Sequence, residues 1–260
     1  MRLLLLMVLA GFAVGCSTLP RPGEGAPLRS AEAREILRDS AKRQGDAWRN
    51  ARRVTVAYEG RWSAIATRLQ PVLTDPGFRK GSEEVYEPRL ERVRQVHRGP
   101  AGVKEVVREK GSVRVVRNGV TDDNRDSLAA AALVADAYTA FLFGSSWLAD
   151  VADEVWLLPD DESTRDGQRL VGGRLRPGFG FSGEDHFIAW IDEKDGSLRR
   201  LQFTLGGMES TKGADVDVVF SEFVRDSNGF LWPQRFVEDI QRPLKARAHV
   251  WETIRLRAER

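Results

Sequence analysis

The sequence predicts an α+β fold, a curved meander of antiparallel strands covered by one N-terminal helix and one central helical insert. Between Glu154 and Leu256 apolar and polar residues alternate in seven successive short runs, the pattern of half-buried strands. Two of the joints have hairpin composition: Asp192-Glu193-Lys194-Asp195-Gly196 puts glycine where a left-handed conformation is needed, and Asp226-Ser227-Asn228-Gly229 ends in Asn-Gly. Residues 122–150 break the alternation with an alanine-rich apolar stretch that reads as a helix.

The chain opens on Met1-Arg2 and an unbroken apolar run from Leu3 to Val14. That run has the length of a secretory signal core and is short for a membrane span, so residues 1–15 are expected to be a signal peptide that is removed. Ala13-Val14-Gly15-Cys16 is similar to a bacterial lipobox, and Cys16 is the only cysteine in the chain. With no disulfide partner available, its expected fate is acylation, which would anchor the mature protein to a membrane through the lipidated Cys16. Ser17 stands where an aspartate would retain such a protein at the inner membrane; by resemblance to envelope lipoproteins the address is the outer membrane, periplasmic face. Residues 16–29, rich in Pro and Gly and without periodicity, read as a flexible tether to a single domain at 30–260.

In that domain Ser30 is placed to cap a helix whose apolar positions Ala33, Ile36, Leu37, Ala41, Ala47, Trp48 and Ala51 share one face. Val54, Val56 and Tyr58 then alternate as a strand. The stretch through Trp62 and Leu69 ends at the turn Asp75-Pro76-Gly77. From Glu83 to His97 and from Val103 to Val120 the segments are strand-like and dense in charge, as antiparallel strands with one wet face would be. The insert is expected to be helical from Arg125 to Leu142 and then to turn irregularly at Gly144-Ser145-Ser146; Asp136 and that break argue against a membrane span.

Composition excludes some functions. Forty Lys and Arg against 38 Asp and Glu leave a net charge of +2, with no footprint for nucleic acid. The histidines His97, His186 and His249 have no metal-ligand spacing, no cofactor fingerprint occurs, and neither a metal nor a cofactor is expected. Asp185-His186 is the one acid–imidazole pair in sequence, and solvated polar residues are the expected reading of it. The late strands are rich in aromatics. A curved sheet under a helical cover can leave a hollow, and Trp190, Phe203, Phe220, Trp232 and Phe236 are candidates to line it, with Leu142, Phe143, Trp147 and Leu148 as candidates for its lid. The basic residues on these strands, Arg174 and Arg200 among them, are interspersed with acids and read as a solvated rim.

The lipobox, the N-terminal helix running into strand one, the apolar insert and the closing strands together resemble the LolA/LolB-like superfamily of bacterial lipoprotein-localisation factors. The run HFIAWIDEKDGSLRRLQFTL from His186 is similar to that group's strand pair around an acidic turn, and NGFLWPQRFVED from Asn228 to its late hairpin. The resemblance implies an unclosed antiparallel β-barrel of roughly eleven strands, with helices as a lid over a cavity for acyl chains. It implies a non-enzymatic carrier in lipoprotein or lipid trafficking, whose ligand is an acyl chain or lipoprotein. The sequence names no protein partner. The insert at 122–150 is larger than that group's, and a protruding hydrophobic loop is not identified. The alternatives are an envelope lipoprotein of structural or interaction role with a filled core and, last, an anchored hydrolase around Asp185 and His186.

Overall fold

A computed structural model describes residues 19–22, 27–161, 164 and 166–260; the expected signal peptide and Cys16 lie outside the described residues. Helix α1 spans Ser30–Arg43 and buries Ala33, Leu37 and Ala41 on one face. Ser30 is its first residue and not its cap: Arg29, left-handed and without a side-chain cap bond, holds that position. The single helix expected through Ala51 is two. Gly45, at φ 88°, turns the chain before α2 (Ala47–Asn50), and a Cβ there would sit 2.7 Å from the Gly229 carbonyl, so glycine is required for both conformation and space.

Strand β1 (Arg53–Trp62) buries Val54, Val56 and Tyr58 as its alternation predicts. Two short helices follow, α3 (Ala64–Leu69), whose Ser63 cap accepts from the Ala66 amide at 3.0 Å, and α4 (Pro71–Thr74), which starts on a proline. Strands β2 (Gly81–Glu87), β3 (Arg92–Gly99), β4 (Gly102–Glu109), β5 (Ser112–Arg117) and β6 (Val120–Thr121) then run as a meander. Helix α5 (Arg125–Phe143) begins at Asn124, whose side chain accepts from the amides of Asp126 and Ser127 at 3.0 Å. The expected irregular turn after it is a further helix, α6 (Ser145–Val151), because Gly144 redirects the chain and lets helix resume. The C-terminal half contains β7 (Ala152–Leu157), β8 (Gln168–Leu175), β9 (Asp185–Asp192), β10 (Leu198–Thr204), β11 (Asp215–Ser221), β12 (Val224–Arg225), β13 (Leu231–Trp232), β14 (Arg235–Arg242) and β15 (Ala246–Glu259).

Among the described residues the main sheet has thirteen antiparallel strands in the order β6-β5-β4-β3-β2-β1-β15-β14-β11-β10-β9-β8-β7, and β12–β13 form a separate hairpin. The first and last strands pair at the centre, and β6 and β7 are unjoined edges, so the predicted unclosed barrel holds, with more strands than the eleven the resemblance implied. Two of the seven strand-like runs, Val216–Arg225 and Phe230–Ile240, are each interrupted, the first at Glu222 (φ 57°) and the second at Pro233, which lacks an amide hydrogen for the ladder.

Helix α5 lies inside the curve. From Ala130 to Phe143 every residue except Asp136 is buried, and a helix apolar all round belongs in an interior. It is long and apolar enough to cross a bilayer, yet the sheet surrounds it. The segment expected as a free tether also meets the sheet. Leu19 packs on the convex face against Trp156, Leu158, Leu170, Ile188 and Trp190, and the Leu28 carbonyl accepts from the Leu157 amide of edge strand β7 at 2.9 Å.

Candidate functional site

The two walls of the half-barrel differ in chemistry. On the C-terminal wall, Phe203, Phe220 and Phe236 face inward and close around Phe141 of α5, at ring-centroid distances of 5.9, 5.9 and 5.2 Å. Trp232 also faces inward, packing on Phe143 at 5.9 Å while its Nε1 donates to Asp226 at 3.0 Å. Four of the five residues expected to line a hollow therefore surround space that α5 fills. Trp190 is elsewhere: Phe187, Ala189 and Ile191 are the inward positions of β9, so Trp190 has the opposite parity and sits in the convex-face cluster, with the Arg200 guanidinium 4.2 Å over its ring. Of the expected lid residues, Leu142, Phe143 and Leu148 are in the core, and Trp147 is half-buried against Phe179 at 5.8 Å. None of the four lines the cavity under α3 and α4, and Trp147 instead borders a separate cleft crossed by ion pairs.

The N-terminal wall has the wet exterior its charges suggested, with Glu83 and Arg94 exposed, but it is polar on its inner side as well. Glu84 is fully buried and accepts from Ser82 Oγ at 2.7 Å, from the Tyr86 hydroxyl and from Gln95 Nε2 at 2.9 Å. Burial pushes its carboxyl above the usual range against the pull of those donors. Lys104 donates to Asp75 Oδ2 at 2.6 Å, and burial brings its ammonium down to about 8. Burial holds His97 well below the ordinary imidazole value, with Arg79, Lys104 and Arg117 adding to the effect. Arg79 is buried without an ion pair among the described residues; it donates to the Leu73 carbonyl and the Tyr138 hydroxyl, each at 2.7 Å, and its guanidinium lies 4.8 Å over the Trp62 ring.

The accessible apolar space is at one end of the barrel, where α3 and α4 arch over the ends of β11 and β14. A cavity of about 670 Å³ opens there, walled by Trp62, Ala66, Leu73, Val216 and Ile240. Two of its lining side chains, Leu69 and Leu244, are exposed apolar residues among polar ones such as Gln70 and Lys212, and Ile65 and Val72 present further exposed apolar surface on α3 and α4. One carboxylate enters it. Glu238 Oε2 lies 3.0 Å from Nδ1 of His249, which is sandwiched against Trp62 at 4.1 Å between centroids. Burial lowers the His249 pKa, with Glu238 opposing, so a neutral imidazole is the ordinary state. A second cleft, of about 550 Å³, lies beside the β3–β5 hairpins and α6, but ion pairs cross it, Arg49 with Asp150 at 2.8 Å and Arg108 with Asp136 at 2.9 Å. Of the two, the first suits an apolar ligand.

The cover formed by α3 and α4 was missed in the sequence. Its signal was Ser63 as a cap, followed by Ile65, Leu69 and Val72 at helical spacing. Asp185 and His186, adjacent in sequence, do not come together as a pair, because successive strand residues point to opposite faces, but Asp185 is not the solvated residue expected. Asp185 is buried and accepts from Thr204 Oγ1 at 2.7 Å and from the Gly206 and Phe179 amides at 2.9 Å, while His186 is on the convex side beside Arg21 and Glu184.

No family model matches the sequence, and no curated protein does. Solved structures are similar to it. A DUF1329 family protein from Desulfovibrio piger matches with a TM-score of 0.53 and 10% identity over 88% of this chain and 92% of that one. A LolA superfamily protein from Nitrosomonas europaea has a TM-score of 0.49 and 11% identity over 86% and 93%. At these identities the likeness is one of fold.

Proposed function

We propose that the chain is a lipid-anchored protein of the bacterial envelope that holds an acyl chain in the cavity beneath α3 and α4. The observation that carries this reading is a largely apolar cavity with Leu69 and Leu244 exposed at its rim, beneath helices whose Ile65 and Val72 also face solvent. Each methylene buried there contributes about 0.8 kcal/mol, so a chain of modest length gains enough to bind, and the same rim can meet a bilayer surface. The lipobox-like run ending at Cys16 supports an anchor that would hold the domain beside the lipids it handles, after removal of residues 1–15 and through a linker at 16–29. Ser17 favours the outer membrane, and the motif resemblance supports a role in lipoprotein or lipid trafficking.

The test uses the chain from residue 17 onward and a fatty acid carrying a photoactivatable diazirine. Crosslinks mapped by mass spectrometry should fall on residues 62–74 and 205–216. Saturable labelling confined to other segments, or none, defeats the reading. A second reading, an interaction lipoprotein with a filled core, is favoured by the seating of Phe141 among Phe203, Phe220 and Phe236. It predicts no saturable fatty-acid binding at all.

A further inference from the structure

We infer that the segment after Cys16 is a docked strap that sets the orientation of the domain on the bilayer, turning the convex face of β7–β9 toward the lipid surface. This rests on the reading of Cys16 as the acylated residue. Leu19 is 4% exposed, seated among Trp156, Leu170, Ile188 and Trp190 on a face that would otherwise present an apolar patch to water. Arg21 reinforces the seat, its guanidinium 4.9 Å over the Trp156 ring and bonded to Nε2 of His186. Further along, the Leu28 carbonyl pairs with the edge of β7.

The consequence is geometric. Leu19 is three Cα-to-Cα steps from Cys16, and an extended chain spans at most about 3.5 Å per step, so the acylated residue stays within roughly 10 Å of the strand face. A flexible Gly-rich linker as long as residues 16–29 would instead have a mean reach of about 20 Å and impose no orientation. The flanking charges do not supply an alternative cause. Among the described residues on this side, Arg174 is paired with Asp153 at 2.6 Å and Arg176 with Glu184, so neither contributes an unpaired positive charge. The acyl chains supply attachment and the strap supplies direction.

The experiment uses the mature acylated protein in vesicles of phosphatidylethanolamine and phosphatidylglycerol doped with a nickel-chelating lipid. Nitroxide labels are introduced singly through Gly183→Cys, two residues before β9, and through Glu83→Cys, exposed on β2 across the barrel. The label at 183 should be relaxed by the nickel lipid several-fold more than the label at 83. Leu19→Asp should erase that difference while the fraction of protein floating with vesicles is unchanged, and Leu19→Met should preserve it. Equal relaxation at the two positions in floating wild-type protein, or a difference that survives Leu19→Asp, overturns the strap and leaves the anchor standing. Wild-type protein that does not float overturns the reading of Cys16, and the strap with it.

Discussion

Replacing Phe141 by alanine separates a filled half-barrel from a hollow one. The ring is 2% exposed and has aromatic neighbours on three different strands, Phe203 on β10, Phe220 on β11 and Phe236 on β14, all within 6 Å between centroids. A phenylalanine removed from such a site costs about 3–5 kcal/mol, because its burial is lost and the rigid walls do not collapse into the space. With a urea slope near 3 kcal/mol/M for a chain of this size, a loss of about 4 kcal/mol lowers the unfolding midpoint by about 1.3 M. The assay is urea titration followed by tryptophan fluorescence, which the seven tryptophans make sensitive. The slope should be unchanged. A loss below about 1 kcal/mol would show that the ring is not wedged between the strands, and the account of α5 as the filling of the barrel would fail.

Gly60→Ala should destabilise by at least the 1–3 kcal/mol of an overpacked core, since a Cβ there would lie 2.8 Å from the Trp251 ring; an unchanged urea midpoint would contradict the close approach of β1 and β15. Asn124→Ala should cost about 1 kcal/mol by uncapping α5, read from the thermal midpoint, and Asn124→Asp should restore most of it. Glu84→Leu should cost more than Glu84→Gln, because leucine leaves the Ser82, Tyr86 and Gln95 donors without an acceptor at about 1–3 kcal/mol each; equal costs would refute the network. His97 and His249 are held neutral by burial while the unfolded chain takes up protons near pH 6.5, so the stability they allow is present above that pH and lost as pH falls through it. Urea midpoints at pH 7.5 and 5.5 should differ less in His97→Gln than in the wild type, and an identical difference would refute the assignment.

What the sequence disclosed followed from local signals. The Asn-Gly and Asp-Gly turns, the alternation of β1 and the start of α5 at Arg125 are all encoded within a few residues. The parity of Trp190 was not, because β9 buries both faces: Phe187 through Ile191 are all covered, one side by the core and the other by Leu19, and a continuous apolar run does not state which residue faces where. The polar wall was illegible for a related reason. Glu84, Gln95, His97 and Lys104 alternate as a solvated face would, and their burial depends on partners contributed by distant residues such as Asp75. Helix α5 was legible as a helix but not as a filling, since being surrounded is a property of the sheet that surrounds it. The exposed apolar side of α3 and α4 was hidden because each helix is too short for periodicity to stand out.

Because α5 is part of the same chain as the walls it occupies, any acyl tail reaching deeper than the cavity under α3 and α4 meets a tethered competitor. Its local concentration is fixed by the loops on either side and does not dilute. Such a tail gains only the difference between its own contacts with Phe203, Phe220 and Phe236 and those that Phe141 gives up. On the proposed reading, deep binding would thereby be kept weak, and a vacated half-barrel would refill itself. Under the proposed function, handing a tail over to a bilayer would need no external source of energy, because the empty protein is already the satisfied one.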